Sequence, residues 1–494
     1  MTFTRDALYI GGRWVTPDSE QQDHILNPAT GRSIGTAPVG SVKTAELAIQ
    51  AARTAFDDGP WTKLTPRQRG RYITDFANAL DRHRDRFADL TTAEIGSPRS
   101  TSDGMHVQTS IDICEQIADR TLPAFPFIEP VNPHIGKSMT GLPQITQGVV
   151  RREPVGVASL ITPFNGPLVL SMYKLIPALA AGCTVVLKPS PYTPLAVLAI
   201  GDLVDEIGLP PGVVNIITGD VDVSVEMTTH PAIDLVSFTG SDAVGRKVMA
   251  QAAGTVKRVV LELGGKSANI VFPDADLDRV ALEVVGNMTF NCGQGCLLLT
   301  RTIVHESVHD EVVRRVVELL KDVKVGDPTD PETVMGPVIR DRERHRIEEM
   351  VDAGLAEGAT LAFGGGRPSG LADGFFLNPA LFTEVDNSMS VAQREIFGPV
   401  GVVISFKNEN DAVHIANDSP YGLNSGVFTS DIERAYRVAS QIRSGTVNIN
   451  SSFGAHPDAP FGGFKQSGFG RERGVYGVDE FTETKFVSWN VGAV

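Results

Sequence analysis

Two stretches of the chain alternate short, β-branched apolar runs with longer runs whose apolar positions fall at helical spacing. From Val149 to Gly265 the order is VGVASLITP, PLVLSMYKLIPALAAG, TVVLKPS, PLAVLAIGDLVDEIG, VVNIITG, DLVSFTG, AVGRKVMAQAAG and RVVLELGG. Strand, helix and strand in succession predict a parallel sheet covered by helices. Ligands of such sheets sit at the carboxyl ends of the strands. Those ends here read TPFN, LKPS, FTGS and LELGG. From about Lys266 a second alternation runs through ADLDRVALEVVGNMTF, RTIVHES, VRRVVELLKDV, PVGVVISF, NSGVFTS and GTVNIN. It predicts a second α/β lobe.

Ahead of both, to about Pro123, the pattern predicts a short strand, a turn at NPATG and helices. Ser41 is placed to cap the helix SVKTAELAIQAARTAF. PRQRGRYITDFANALDRHRDRFADLTTAEIG reads as an interrupted helical stretch with a solvated charged face. The segment NPHIGKSMTGLPQITQGVVRREP and the tail TETKFVSWNV fit neither lobe and are expected as strands of a small extra sheet, whose edge needs a partner.

A length of 494 residues exceeds what one core serves, so two or three lobes are expected. A net charge of −15 disfavours nucleic acid as a partner. Backbone amides can still hold a small phosphate locally. The start MTFTRDALYIGGRWV lacks the apolar core of a signal peptide, and the longest apolar run is broken by Lys174 and Pro177, so no membrane span is expected. The cysteines Cys114, Cys183, Cys292 and Cys296 form no disulfide framework, which points to the cytoplasm.

Two motifs mislead. HESVH, His305 to His309, matches a zinc-protease pattern, but that chemistry needs both rings on one helix face. RTIV before it reads as a strand. Ser307 and Asp310 form a capping-box pattern that starts the helix near Val308 and leaves His305 outside. No metal site is expected. GGKS, Gly264 to Ser267, resembles the end of a P-loop, but Val260 stands where its first glycine belongs. No intact G-x-G-x-x-G follows a strand either.

TFNCGQGCLLLT holds two cysteines four residues apart. Buried packing is the ordinary fate of such residues. Against it, CGQG is small and backbone-rich, suited to a loop that exposes a thiol to substrate and surrounds it with amide donors. A nucleophilic cysteine needs a base. Glu262, between the strand RVVL and the turn GG, is the candidate.

At these residues the chain resembles the aldehyde dehydrogenases, along almost its whole length. LELGGKS is similar to the family's glutamate motif, CGQGC to its cysteine motif and TPFNGP to its asparagine motif. LKPSPYTP, FTGSDAVG and EIFGPV resemble cofactor segments, and PFGGFKQSGFGRERG a C-terminal signature. The resemblance implies an α/β fold. A Rossmann-like cofactor domain would span residues 1–131 and 150–263, and a second α/β catalytic domain residues 264–477. Oligomerisation strands at 132–149 and 478–494 would build a homodimer or homotetramer. It implies Cys296 as nucleophile, Glu262 as general base, Asn165 as oxyanion donor and Lys174 in proton relay.

The cofactor implied is NAD, with NADP open. Lys188, with Ser190 and Pro191, would meet the adenosine ribose. Ser241 would meet the pyrophosphate near a helix start, among Phe238, Thr239, Gly240 and Val244. Glu395 would bind the nicotinamide ribose, with Phe397 beside the ring. Thr162, Pro163, Phe164, Gly219, Leu263 and Gly264 complete the implied contacts. NAD-preferring members commonly hold a glutamate where this chain has Pro191.

The implied substrate tunnel takes Val169, Leu170, Tyr173, Phe290, Leu297 and Phe461. It reads as apolar with no arginine poised, so an uncharged aliphatic or aromatic aldehyde is expected. Two rivals remain at this point: a cofactor-independent thioester or ester hydrolase, and a non-catalytic binding protein on the same fold.

Overall fold

The runs VASLI, TVVLK and LVSFT form strands in which every residue is buried, Val157–Ile161, Thr184–Lys188 and Leu235–Thr239. Continuous β-branched runs without alternation belong to parallel strands covered on both faces. A computed structural model describes residues 3–453 and 456–493. In it these strands lie at the centre of an eight-stranded sheet. The spatial order is Gly468–Phe469, Arg258–Glu262, Leu235–Thr239, Val157–Ile161, Thr184–Lys188, Val214–Ile216, Leu8–Ile10 and Arg13–Val15. The five middle strands are parallel, and the outer pairings are antiparallel. The chain runs outward from Val157–Ile161 in one direction, then returns to place Leu235–Thr239 on its other side. This reversal opens a crevice between the carboxyl ends of those two strands.

A second sheet has seven strands in the order Thr360–Gly364, Ala380–Thr383, Val400–Phe406, Arg301–His305, Ala268–Val271, Asn424–Phe428 and Thr446–Ile449. All its pairings are parallel except the first. A third, antiparallel sheet joins Ile128–Lys137, Pro143–Pro154 and Thr482–Ala493. Its strands extend past residues 132–149 at both ends. A fourth, absent from the sequence reading, joins Phe3–Thr4, Ser33–Pro38 and Gln22–Leu26.

Ser41 caps the helix Val42–Asp57 in a capping box with Thr44. The charged stretch breaks at His83, between helices Pro66–Arg82 and Arg84–Ile95. In the HESVH region the helix starts near Val308 as expected and leaves His305 outside it, but the capping differs. A short 3-10 turn, Glu306–Val308, precedes the helix His309–Lys321. The backbone N–H of Ser307 donates to His305 Nδ1 at 3.2 Å, so the imidazole rather than Ser307 caps this turn. His309 instead meets Asp310 and Thr383, and no metal-binding cluster exists among the described residues.

Helix Pro167–Ala181 is apolar nearly all round and buried almost throughout, as a helix trapped between layers must be. Its one charge, Lys174, is fully buried. Lys174 Nζ donates to Glu472 Oε1 at 2.8 Å and to Ser237 Oγ at 2.9 Å. The C-terminal segment reaches this lysine by pairing Gly468–Phe469 with Arg258–Glu262. Gly468 has φ +114, and a Cβ there would collide with the Leu261 carbonyl, so the strap needs glycine.

A buried pair of this kind contributes little over an apolar isostere, but breaking it leaves a buried charge alone. Lys174→Met is expected to cost about 3–5 kcal/mol, seen as a large fall in thermal midpoint. Lys174→Met combined with Glu472→Leu should recover most of that loss. An unchanged midpoint in the single variant would show that the pair does not hold the strap.

Candidate functional site

The crevice at the strand reversal opens into a cavity of about 350 Å³. On one side it is walled by Pro163, Phe164 and Asn165, which follow the strand Val157–Ile161. On the other stand Thr239, Gly240 and Ser241, at the end of Leu235–Thr239. Leu263 and Gly264 close the base, Glu395, Phe397 and Tyr421 come from the second lobe, and Cys296 lies in the wall. Sequence positions far apart therefore meet where the parallel sheet predicts a ligand.

Cys296 is placed by a tight loop. Helix Leu277–Thr289 ends, and Asn291, Cys292 and Gly293 follow with φ of 47°, 53° and 71°. Asn291 Nδ2 donates to the Asn165 carbonyl at 2.9 Å. Asn165 Nδ2 donates to the Gln294 carbonyl at 3.0 Å. Gln294 is itself pinned, since its Oε1 accepts from Ile339 N at 3.0 Å. The Asn165 amide is thus tied two residues before Cys296 and keeps a second N–H to donate elsewhere. A Cβ at Gly265 would stand 2.5 Å from the Cys296 carbonyl, so only glycine lets the glutamate turn approach the cysteine loop. Cys292 is a buried neighbour packed in the second lobe.

Glu262 ends its strand almost fully buried, and neither of its oxygens meets a hydrogen-bond partner. Burial first, and the nearby Glu472 second, hold its pKa well above the usual carboxylate range, while Lys174, Arg471 and Arg473 act the other way. Glu395 accepts from Gly265 N at 2.9 Å, and burial pushes its pKa up to about 7. The Cys296 thiol is pushed up to about 12, by burial and then by Glu395, Glu262 and Glu472. Burial, with three carboxyls beside it, thus holds the thiol protonated.

The cavity suits a dinucleotide. Helix Asp242–Ala252 begins on it, with Ser241 as N-cap, so the positive end of a helix faces the cavity as a phosphate would need. Phe164 and Phe397 meet edge to face at 5.8 Å beside it. The adenosine-side residues stand apart. Lys188 is buried with its pKa lowered to about 8 by burial, against Asp220 and Asp23, which raise it. Pro191 lines a separate 170 Å³ cavity with Asp23, Tyr192 and Arg340. Thr162, Phe238 and Gly219 are buried, and Val244 is exposed on the helix.

Of the implied tunnel residues, Val169 and Tyr173 are buried, Leu170 and Phe290 half-buried. Leu297 and Phe461 line a small cavity of 40 Å³. Arg473, which the sequence reading did not place there, lines it too. The sequence reading missed Glu472 and Arg473 although both lie in GRERG, because a C-terminal signature gives no hint of where its charges fold back. Glu343 and Arg346, from helix Asp341–Ala356, also wall the large cavity, and the sequence carried no signal for them beyond a charged helix.

Alkylation of Cys296 in the cofactor-free protein should rise with pH and reach its midpoint above pH 9, because the thiol is held protonated. Glu395→Gln removes one negative neighbour, so it should lower that midpoint and speed alkylation several-fold at pH 8. Iodoacetamide labelling followed by mass spectrometry measures both. A wild-type midpoint near neutrality would contradict the carboxyl-crowded environment.

The sequence matches the aldehyde dehydrogenase family over residues 14–487. It is 41% identical to 3-succinoylsemialdehyde-pyridine dehydrogenase from a Pseudomonas species, over 97% of this chain and 98% of that one. A mutant of aldehyde dehydrogenase C from Pseudomonas syringae, solved with NAD+ and octanal, superposes with a TM-score of 0.92 at 40% identity, covering 98% of this chain and 96% of that one. A Mycobacterium tuberculosis aldehyde dehydrogenase solved with NAD+ gives 0.93 at 40% identity, covering 99% and 98%. The chain belongs to the aldehyde dehydrogenase family, whose members oxidise aldehydes with NAD(P).

Proposed function

We propose that Cys296, Glu262 and Asn165 carry out the oxidation of an aldehyde with an aliphatic or aromatic body to its carboxylic acid. The observation that carries this reading is the single cavity shared by Cys296, Asn165 and the crevice of the parallel sheet. Cys296 Sγ, on losing its proton to a neighbouring carboxylate, attacks the aldehyde carbon and forms a thiohemiacetal. The free N–H of Asn165 and the Cys296 backbone amide stabilise the oxygen that becomes negative. Bound NAD(P)+ supplies the hydride acceptor for the carbon attached to sulfur. The product of that step is a thioester on Cys296. Glu262, whose raised pKa makes it a competent base once ionised, takes a proton from water, and the water oxygen displaces sulfur. Lys174 and Glu472 hold the charge beside Glu262 in balance. An unaided hydrolase would have no use for the crevice, and a binding protein no use for the crowded thiol.

NAD is the favoured cofactor. The glutamate absent at Pro191 has a counterpart in Asp23 and Asp220, which act on Lys188 and would repel a 2′-phosphate. The chain is further proposed to work in the cytoplasm, where its free thiols stay reduced. Among the described residues no helix is long and apolar enough to cross a membrane.

The third sheet supports self-association as a homodimer or homotetramer. Val487, Trp489 and Val491 lie on one face of its edge strand, opposite Val149, Gln147 and Ile145 on the next. Trp489 is 46% exposed and Ile135 78%. A face this apolar calls for a partner.

Purified protein mixed with NAD or NADP and benzaldehyde or hexanal should form reduced cofactor, faster with NAD. Cys296→Ser should be inactive. Glu262→Gln should give a burst of about one reduced cofactor per site, then turnover slowed by about 10²–10⁴-fold. Full activity in Cys296→Ser would end this reading. Light scattering should give a dimer or tetramer mass, reduced in Trp489→Glu. A wild-type monomer would remove the role given to the third sheet.

A further inference from the structure

Cys296 and Leu297 are consecutive, yet they wall two different cavities. Cys296 faces the large cavity at the sheet crevice, and Leu297 faces the small one. The small cavity holds Arg473, whose guanidinium carbon lies 4.7 Å from the ring centre of Tyr173 and 4.7 Å from that of Phe461. Both rings were expected in the substrate tunnel. Arg473 makes no ion pair or hydrogen bond among the described residues, and its Nε is buried without a partner. The neighbouring Glu472 cannot serve, because Lys174 already holds it.

The backbone at Arg473 is also unusual. With φ 73° and ψ 153° it occupies a region that is essentially the preserve of glycine. A side chain there costs on the order of 1–3 kcal/mol and persists only where surrounding structure enforces it. The enforcement is visible: Phe461 and Glu472 exchange backbone hydrogen bonds of 2.9 and 2.7 Å just before Arg473. The strap thus carries a cation into an aromatic slot against the local preference of the chain.

We propose that Arg473 determines substrate specificity by binding a carboxylate at the far end of the aldehyde. Two aromatic rings pack against the guanidinium while its Nε lies buried without a partner, so it keeps N–H groups to donate, as a carboxylate requires. The cavity of 40 Å³ is far smaller than the 350 Å³ cavity at the crevice, so it suits a small polar group better than the body of a ligand. Apolar walls nearer Cys296 would hold the body of the molecule. The class is therefore a carboxy-aldehyde with a short aliphatic or aromatic spacer. This inference rests on the aldehyde-oxidising reading above and narrows its substrate.

The plainer alternative is that Arg473 only staples Tyr173 to Phe461 through cation–π contact. Comparing 4-carboxybenzaldehyde with benzaldehyde separates the two. The wild type should favour the carboxylated aldehyde by at least about tenfold in kcat/KM, the size expected of a charged hydrogen bond. Arg473→Gln should erase that preference mainly through KM, and Arg473→Lys should restore part of it. A wild type without the preference, or an Arg473→Gln variant that keeps it, overturns the proposal. If Arg473→Gln does not fold, wild-type thermal stabilisation by 4-carbamoylbenzoate beyond that by benzamide, with NAD bound, supports it; equal stabilisation overturns it. If neither aldehyde reduces NAD, the aldehyde-oxidising reading fails, and the comparison of 4-carbamoylbenzoate with benzamide still decides the anion site.

Discussion

The buried contact between Lys174 and Glu472 ties the two ends of the chemistry together. Lys174 sits in a helix that the sheet and its covering layers enclose. Glu472 lies almost three hundred residues later, on a segment that would otherwise belong to the second lobe. Once the strap is paired to Arg258–Glu262, Glu262 gains a like charge and an opposite charge within reach, and Phe461 and Arg473 are brought to the same small cavity as Leu297. Neither the surroundings of Glu262 nor that cavity could take their present form with the C-terminal segment elsewhere. Desolvation makes such a pair weak as a source of stability and strong as a constraint on register, because each charge has one tolerable position.

That constraint explains the electrostatics around Cys296. A thiol surrounded by Glu262, Glu395 and Glu472 is a poor nucleophile at rest. Burial, and after it the charge of Glu472, raises the proton affinity of Glu262, as its proposed role as a base for water needs. The site therefore stores protons where the reaction must move them. Glu395 is the adjustable member. It is held by one backbone amide of the Gly264–Gly265 turn, and the family resemblance gives the same carboxylate to the nicotinamide ribose. A ligand that drew Glu395 away from this turn would lessen the negative charge felt by the thiol.

Much of this was legible in sequence because it follows local rules. Continuous β-branched runs such as TVVLK signalled buried parallel strands, Ser41 marked a helix start, and the glycine-rich turns flagged Glu262 and Cys296. The cavity walls at Pro163 to Asn165 and Thr239 to Ser241 could be named because the ligand position in a parallel sheet depends on topology alone. What failed depended on long-range folding. Ser307 looked like a cap, but the adjacent His305 ring took its amide first. The first short sheet, Phe3–Thr4 with Ser33–Pro38 and Gln22–Leu26, has no apolar alternation to announce it. Glu472 and Arg473 read as surface charges until the strap turned them inward.

Arg473 shows why substrate choice is harder to read than reaction type. The proposed nucleophile, base and amide donor sit on turns whose glycines and flanking strands are written beside them. The groups proposed to meet the rest of the substrate come from helix Pro167–Ala181, the cysteine loop and the C-terminal strap, three segments with no local relation. Judged one by one, Val169, Tyr173 and Phe461 are apolar and suggest an apolar guest. Assembled, two of those rings become the walls of a slot for a cation. The chemistry of this cavity is thus a property of the contact between segments, and on the proposed reading a single charged residue brought in by the strap outweighs several apolar ones.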